Sequence, residues 1–409
     1  MREAQAAPRN ADRRLPGHPR LDTNSRPAPH LARTTIALFG AYTAANLSWF
    51  TQPFQFTVFS TQSGFGSIAT GWILSSEIGL AALVSIAMGY FNGARRTSRN
   101  ALAAATLLCV IGSVTTVLVT SFLGILVSRI VAGLGEGLLI ADVNRAVARL
   151  DEPEKRYGQI NALMNLAGFL LILSMPVVLA PLHIDRAIFA LLTAATLICL
   201  AVVTLYPVKV EAAASVINLR GIGGWRGWTV CAAVLLTSTG VSSFYPVTES
   251  LGRASGISEG ALDSALSMAY IGAIIGSYAG AWIDARIGRR GAALWVGIGL
   301  SCAVSLLVHA HSGWEFGAGM FLFGLFWFHG LVTCLGLAAQ VDPAGGCAAA
   351  CGGAFLMGGG IGPVLGGYEL DWTSGDTGFF AWSVSFLMVA YVFSLWLVDK
   401  RGVHPARAP

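Results

Sequence analysis

Charge is what this 409-residue sequence has least of: Asp, Glu, Lys and Arg together make up 11% of it, against about 25% in an ordinary soluble domain. With 55% hydrophobic residues and a mean hydropathy of +0.65, that shortage excludes a soluble chain and points to a polytopic membrane protein. No G-x-x-x-x-G-K-[S/T] loop is present, nor any long polar stretch able to fold as a separate domain. ATP hydrolysis therefore has no residues to perform it, and the chain is not expected to be an enzyme. No His, Cys and carboxylate set with metal-ligand spacing stands out, so no cofactor or metal is expected. The start lacks the basic, apolar and small-residue succession of a signal peptide, and residues 1–33 read as a disordered cytoplasmic tail. The seven cysteines fall in or beside apolar stretches, where they behave as small hydrophobes rather than as a disulfide framework. Cys347 and Cys351, four apart on one helical face, read as packing residues.

Segments of about 20 apolar residues, the length that crosses roughly 30 Å of hydrocarbon, can be laid off twelve times. They fall near 34–58, 67–91, 101–121, 123–148, 158–181, 187–206, 228–249, 263–283, 291–309, 316–338, 346–367 and 378–398. The net charge of +5 could suggest nucleic acid, but its distribution follows membrane sidedness, and no nucleic-acid partner is expected. All 26 basic residues lie on one side except Arg186 and Arg253 opposite and Arg129 inside the bilayer. The positive-inside rule then puts both termini in the cytoplasm of a cell whose inner or plasma membrane the chain crosses. The stretch 207–227 divides the spans six and six. The domain reading is a tail at 1–33, a first six-helix bundle at 34–206, a linker at 207–227, a second bundle at 228–398 and a cytoplasmic tail at 399–409. The whole is expected to act as a monomer in the lipid bilayer.

Charges inside spans are the exceptions that suggest function, because one near the centre of a membrane helix costs at least about 2.5–3.5 kcal/mol. Arg129 and Glu136 both lie in the fourth span. Seven residues make two helical turns, so they share a face, with Gly133 between them and Gly135 and Gly137 beside it allowing close approach. A carboxyl at that depth is a candidate for carrying a proton, so Glu136, Glu77 in the second span and His329 in the tenth are the proton-coupling candidates. Arg129 keeps its charge and serves as a fixed positive group, for an anionic substrate or for a structural partner. Asp142 and Arg145 stand three apart near the end of the fourth span. Asp142 is expected to pair with Arg145 or with Arg95 or Arg96.

The two halves read as diverged copies. A first helix ends in Trp49, Phe50 and Pro53 in one half and in Phe244, Tyr245 and Pro246 in the other. A second helix ends in glycine and a basic turn, from Gly89 and from Gly280. A fourth carries a titratable residue before a glycine, Glu136-Gly137 and His329-Gly330. The correspondence predicts that Glu136 and His329 face each other as a coupled pair.

Beyond residue 33 the sequence resembles the major facilitator superfamily. Arg129, Gly133 and Gly135 are similar to its R-x-x-x-G-x-G pattern. Gly280, Asp284, Gly288, Arg289 and Arg290 are similar to its G-x-x-x-D-R-x-G-R-R turn, one residue longer here. The first-half turn keeps Gly89, Arg95 and Arg96 without the aspartate. Gly358, Gly362, Pro363, Gly366 and Gly367 in the eleventh span resemble a G-x-x-x-G-P-x-x-G-G motif that in the family's antiporters marks the fifth helix, where this chain has only Gly168 and Pro176.

The resemblance implies an all-α membrane protein, twelve helices in two pseudo-symmetric six-helix bundles, around a cavity lined by the first, fourth, seventh and tenth helices. Those helices supply Asn46, Trp49, Gln52, Gln55, Arg129, Glu136, Ser242, Ser243, Tyr245, Trp327 and His329. The substrate set is then Arg129, Asn46, Trp49, Gln52, Tyr245, Ser243 and Trp327. The basic turns, Asp142 and the glycine stripes Gly272, Gly276, Gly280 and Gly358, Gly362, Gly366 are expected to gate and slide, the stripes against partners in the other half. The function so read is secondary active transport of a small organic solute by alternating access, proton-coupled, with uptake and efflux both open and the solute anionic or amphipathic. A non-transporting receptor or sensor of the same fold and a lipid-handling carrier are the alternatives.

Overall fold

In a computed structural model the described residues are 29–91, 97–147, 150, 153–179, 187–207, 224–342, 346–373 and 378–399. Most of the two tails and of the linker, together with Arg95, Arg96 and Arg186, lie outside them. The described residues are helical with short turns and contain no strand. Among the described residues nine helical stretches are long and apolar enough to cross a membrane; Gln159–Met175 and Ala187–Val203 are shorter apolar helices, and the first span is broken into pieces. In chain order the second to sixth spans are Gly66–Phe91, Arg99–Leu118, Phe122–Val147, Pro153–Leu179 and Ala187–Val203. The eighth and ninth run together as Glu259–Val308, and the tenth to twelfth are Gly313–Val341, Gly346–Trp372 and Gly378–Asp399.

These helices are held in register by caps and by their own hydroxyls. Ser98 accepts from the Ala101 amide to start the third span, and Ser312 with Glu315 forms a reciprocal capping box on the tenth. Within the apolar spans, hydroxyls such as Thr106, Thr116 and Thr196 bond the carbonyl four residues back, so these hydroxyls need no water that the hydrocarbon cannot supply. The eighth and ninth helices are separated at Gly288, whose φ of 70° and ψ of 167° only glycine adopts without strain. That is the glycine of the basic-turn motif.

Two spans are broken at matching places. The first runs Pro29–Ala44, Leu47–Phe50 and Gln52–Thr57, then a π-turn at Val58–Gln62, with Pro53 in its third piece. The seventh runs Gly224–Phe244, a 3₁₀ turn at Tyr245–Val247 containing Pro246, and Thr248–Ala254. Backbone groups freed at the first break are met by side chains. Thr51 Oγ1 donates to the Leu47 and Ser48 carbonyls, and Gln55 Nε2 to the Ser48 carbonyl at 2.9 Å. Irregular backbone at membrane depth survives only where the protein satisfies it in this way or lines a cavity with it.

Within the first half the second and third spans pack on the fourth, and the sixth on the third and first. Gly133 and Gly137 let the second span approach backbone to backbone at Glu77 and Ala81, while Gly135 does the same for the third span at Ala105. Within the second half the eighth packs on the tenth and the seventh on the eleventh. The glycine stripes serve those contacts. A carbon on Gly272 or Gly276 would meet the Phe321 or Leu325 carbonyl of the tenth span, and one on Gly358, Gly362 or Gly366 would meet the seventh between Leu235 and Ser243. The expectation that these stripes slide against the other half is corrected: they lock helices inside one half.

The halves meet along other residues. Gly360 lies on Gly79, Gly367 on Ser67, and Gly71 on the Pro363 carbonyl, while the Val364 amide donates to Ser75 Oγ at 3.0 Å. On the opposite flank Gly168 of the fifth span packs against Tyr270 of the eighth.

Candidate functional site

Two constellations stand out: one inside the first half and one at the junction of both. In the first, Arg129 is 1% exposed and its Nη1 lies 3.3 Å from Glu77 Oε1 and 3.4 Å from Gln55 Oε1. Its guanidinium sits 5.4 Å from the centre of the Phe189 ring, within cation–π range. Gly133 is what brings Glu77 there, since it removes the side chain that would hold the second span away. Glu136, two turns along the same face, meets the Glu77 carboxyl. It lines a cavity of about 10 Å³ with Ser48, Cys109, Ser113, Arg129 and Thr196, room for about one water. Gln55 ties this cluster to the broken first span through Ser48 Oγ at 3.0 Å and Thr51 Oγ1 at 2.8 Å.

A buried guanidinium is tolerable only with partners, and here it has one carboxylate, one amide and one ring. Two carboxyls face one fixed positive charge. The cluster is electrically balanced when one of the two carboxyls is neutral.

The second constellation is aromatic and draws on both halves. Trp49 of the first half lies 5.8 Å from Trp327 at 33° between planes and 5.8 Å from Phe355 at 26°. Trp327 and Phe355 stack at 6.1 Å and 22°, and Tyr245 and Phe323 border Trp327 at 6.2 and 6.0 Å. Gly359 gives Trp49 its seat, for any side chain there would occupy the indole's place. Beside Trp327 and Phe355 a second cavity of about 10 Å³ is lined by Thr237, Ser238, Gly330 and Cys334. Toward the end of the spans away from the linker, Tyr245 Oη bonds the Phe50 carbonyl at 3.0 Å and Tyr270 Oη at 2.7 Å, and Thr57 Oγ1 lies 3.1 Å from Ser250 Oγ. These contacts join the first half to the second.

Of the substrate candidates, Trp49, Tyr245 and Trp327 are therefore brought together. Gln52 is buried on the broken first span, and its Oε1 has no hydrogen-bond partner among the described residues. Asn46 turns back to the Tyr42 carbonyl at 2.7 Å. Ser243 bonds the Gly240 carbonyl and packs on Gly366, so it faces the eleventh span. Arg129 is placed in the core of the first half, held by Glu77 and Gln55, and not on the aromatic junction. His329 is fully buried, with Nε2 2.8 Å from Asp284 Oδ1 and its ring against Gly280; its ring nitrogen is paired with Asp284, while Glu136 meets Glu77. The expected His329–Glu136 pair is thereby replaced by one pair in each half.

Asp142 pairs with Arg145 at 2.7 Å, and Arg145 also reaches the Met88 carbonyl at 3.3 Å. The alternative partners Arg95 and Arg96 lie outside the described residues, and Gly89 falls in the last turn of the second helix. Arg289 is half-buried, and the Arg290 guanidinium lies 5.9 Å from the Trp396 ring centre. Phe355, Phe323 and Tyr270 are residues that sequence reasoning missed. Phe355, the one aromatic between Gly346 and Gly367 of the eleventh span, was the one with a visible signal.

The chain belongs to the major facilitator superfamily, whose model matches residues 35–348. It is a multi-pass membrane protein of a secondary-transporter family. Among solved structures it is similar to a mutant form of the nucleoside transporter NupG, at 13% identity and a TM-score of 0.68, over 90% of this chain and 99% of that one. No curated protein matches it.

Proposed function

We propose that the protein is a proton-coupled secondary active transporter for a small organic solute that carries a planar ring. The observation that carries this reading is the Trp49, Trp327 and Phe355 group, with planes 22–33° apart, contributed by both halves beside the breaks in the first and seventh spans. A ring inserted there touches both halves at once, so its arrival biases their relative position, as alternating access requires. Broken helices in corresponding positions of two repeats are where such carriers bind their cargo. NupG is a nucleoside transporter, and a nucleobase is a planar ring, which supports the same class. The unpartnered Gln52 Oε1 and the Thr237 and Ser238 hydroxyls supply polar contacts.

Coupling runs through Glu136 and Glu77. When the carboxyl pair loses its proton, two negative charges compete for Arg129 and draw it from Gln55. Gln55 then loosens the break that carries Trp49. His329 with Asp284 is the corresponding pair of the second half. Both termini face the cytoplasm of a monomer in the plasma membrane, and the Tyr245, Tyr270 and Phe50 contacts close the opposite face. Asp142, Asp284, Arg289 and Arg290 act at the cytoplasmic end.

The test is accumulation in proteoliposomes of labelled nucleosides and nucleobases, against sugars and amino acids without a ring, under an imposed pH gradient. Ring-bearing solutes are expected to accumulate. Glu136→Gln is expected to abolish gradient-driven accumulation while leaving exchange, since the amide keeps shape but carries no proton. Binding without accumulation would identify a receptor, and gradient-driven accumulation in Glu136→Gln would reject the coupling.

A further inference from the structure

Three of the seven cysteines converge at one end of the second half, outside both constellations. Cys347 and Cys351 lie one turn apart at the start of the eleventh helix, and Cys231 reaches them from the seventh. The three sulfurs all fall within 4.8 Å of one another, and all three residues are buried. Cys231 Sγ and Cys351 Sγ are 3.7 Å apart, and Cys347 Sγ is 3.7 Å from the Gly227 carbonyl.

We propose that Cys231, Cys347 and Cys351 form a three-thiol site for a soft d¹⁰ metal ion. A metal bonded at about 2.3 Å to each of three sulfurs sets those sulfurs roughly 4 Å apart. The observed spacing, from 3.7 Å up to at most 4.8 Å, thus needs only a small adjustment. Thiolates select soft ions over the hard, oxygen-seeking Mg²⁺ and Ca²⁺. Cys347 stands in the first turn of its helix, where the helix dipole favours negative charge. The Cys347 amide is already oriented by Asp342 Oδ2 at 2.9 Å. On binding, a divalent ion displaces thiol protons to solvent and forms metal–sulfur bonds, with no change in oxidation state. The ion would pin the linker ends of the seventh and eleventh spans together, just below the Phe355 and Trp327 pair.

The experiment uses the full chain in detergent, with Cd²⁺ as probe, in a Cys302→Ser background that removes the exposed thiol. Native mass spectrometry is expected to give one bound Cd²⁺ per chain. Ultraviolet sulfur-to-cadmium absorption is expected to have the intensity of three sulfurs per ion, and Zn²⁺ should compete. Cys231→Ala and Cys351→Ala should each weaken binding at least tenfold, while Cys199→Ala, in the sixth span, should not. The absence of the absorption band, or a band undiminished in Cys231→Ala and Cys351→Ala, would overturn the site. If those variants aggregate, the stoichiometry and band intensity of the unaltered three-thiol chain decide alone: fewer than two sulfurs per ion rejects the proposal.

Discussion

Adding one methyl group at Gly71 tests whether the second and eleventh spans form the interface between the halves. The new carbon of Gly71→Ala would stand closer than 3.0 Å to the Pro363 carbonyl oxygen, with Val364 Cα at 3.0 Å and Pro363 C at 3.1 Å. All three are backbone atoms, so no side chain can swing aside, and the two helices must part. The Val364 amide to Ser75 Oγ bond, 3.0 Å long, then stretches toward the distance at which it ceases to count as one, a loss of about 1 kcal/mol. Overpacking adds about 1–3 kcal/mol. Taking about 2 kcal/mol in all, the arrangement described here should lose roughly thirtyfold in population against one in which the halves have rocked apart at this end. Spin labels at the exposed positions Thr61 and Ala254, in a Cys302→Ser background, would read the distance across that end. Gly71→Ala should enrich the longer distance, whereas Gly276→Ala, which wedges two helices of one half, should lower Tm and leave the distance distribution alone. An unchanged distribution in Gly71→Ala, or the same shift in Gly276→Ala, would refute the reasoning.

Trp327→Ala should weaken binding of a ring-bearing solute by about 1–3 kcal/mol, the worth of one base-on-aromatic stack, and Trp327→Phe should recover most of it; equilibrium binding of a labelled nucleoside measures both. Arg129→Lys keeps the charge but not the planar fork that reaches Glu77 and Gln55 together, so Tm in detergent should fall while solute affinity stays within about threefold. Lost affinity at unchanged Tm would place Arg129 on the substrate instead. Gly288→Ala meets no atom within 4 Å, so only the positive φ resists it. A stability loss of about 1–2 kcal/mol is expected from the thermal transition, and an unchanged transition would show that the turn relaxes.

The apolar spans and the charges at Arg129, Glu77 and Glu136 were legible in the sequence, because length and the cost of charge in hydrocarbon are properties of single segments; the clusters at Pro53 and Pro246 read as helix ends, where the structure has breaks within a span. Which way each helix faces was not. In the fourth span Leu123, Val127 and Leu134 are exposed while Ile125 and Leu139 are buried, so the same residue types serve the outer surface and the core, and no polar stripe orients the helix. The seven-residue spacing correctly put Arg129 and Glu136 on one face but could not say that this face meets the second span. The eleventh span poses the same difficulty with glycine. Gly358, Gly362 and Gly366 turn to the seventh helix, and their neighbours Gly359, Gly360 and Gly367 turn to the first half. Small residues on two faces leave the partner of each to the three-dimensional fold, and His329 found Asp284 for the same reason.

The Val364 amide donating to Ser75 makes one backbone proton of the second half a guest of the first. Its protection from deuterium belongs to the contact between the halves as well as to its helix. A peptide spanning Val364 should therefore take up deuterium in step with each separation of the halves, while amides paired only inside the tenth span keep their slower clock. The molecule carries its own counter of opening events, readable by mass spectrometry in unmodified protein and responsive to any solute that holds the halves together.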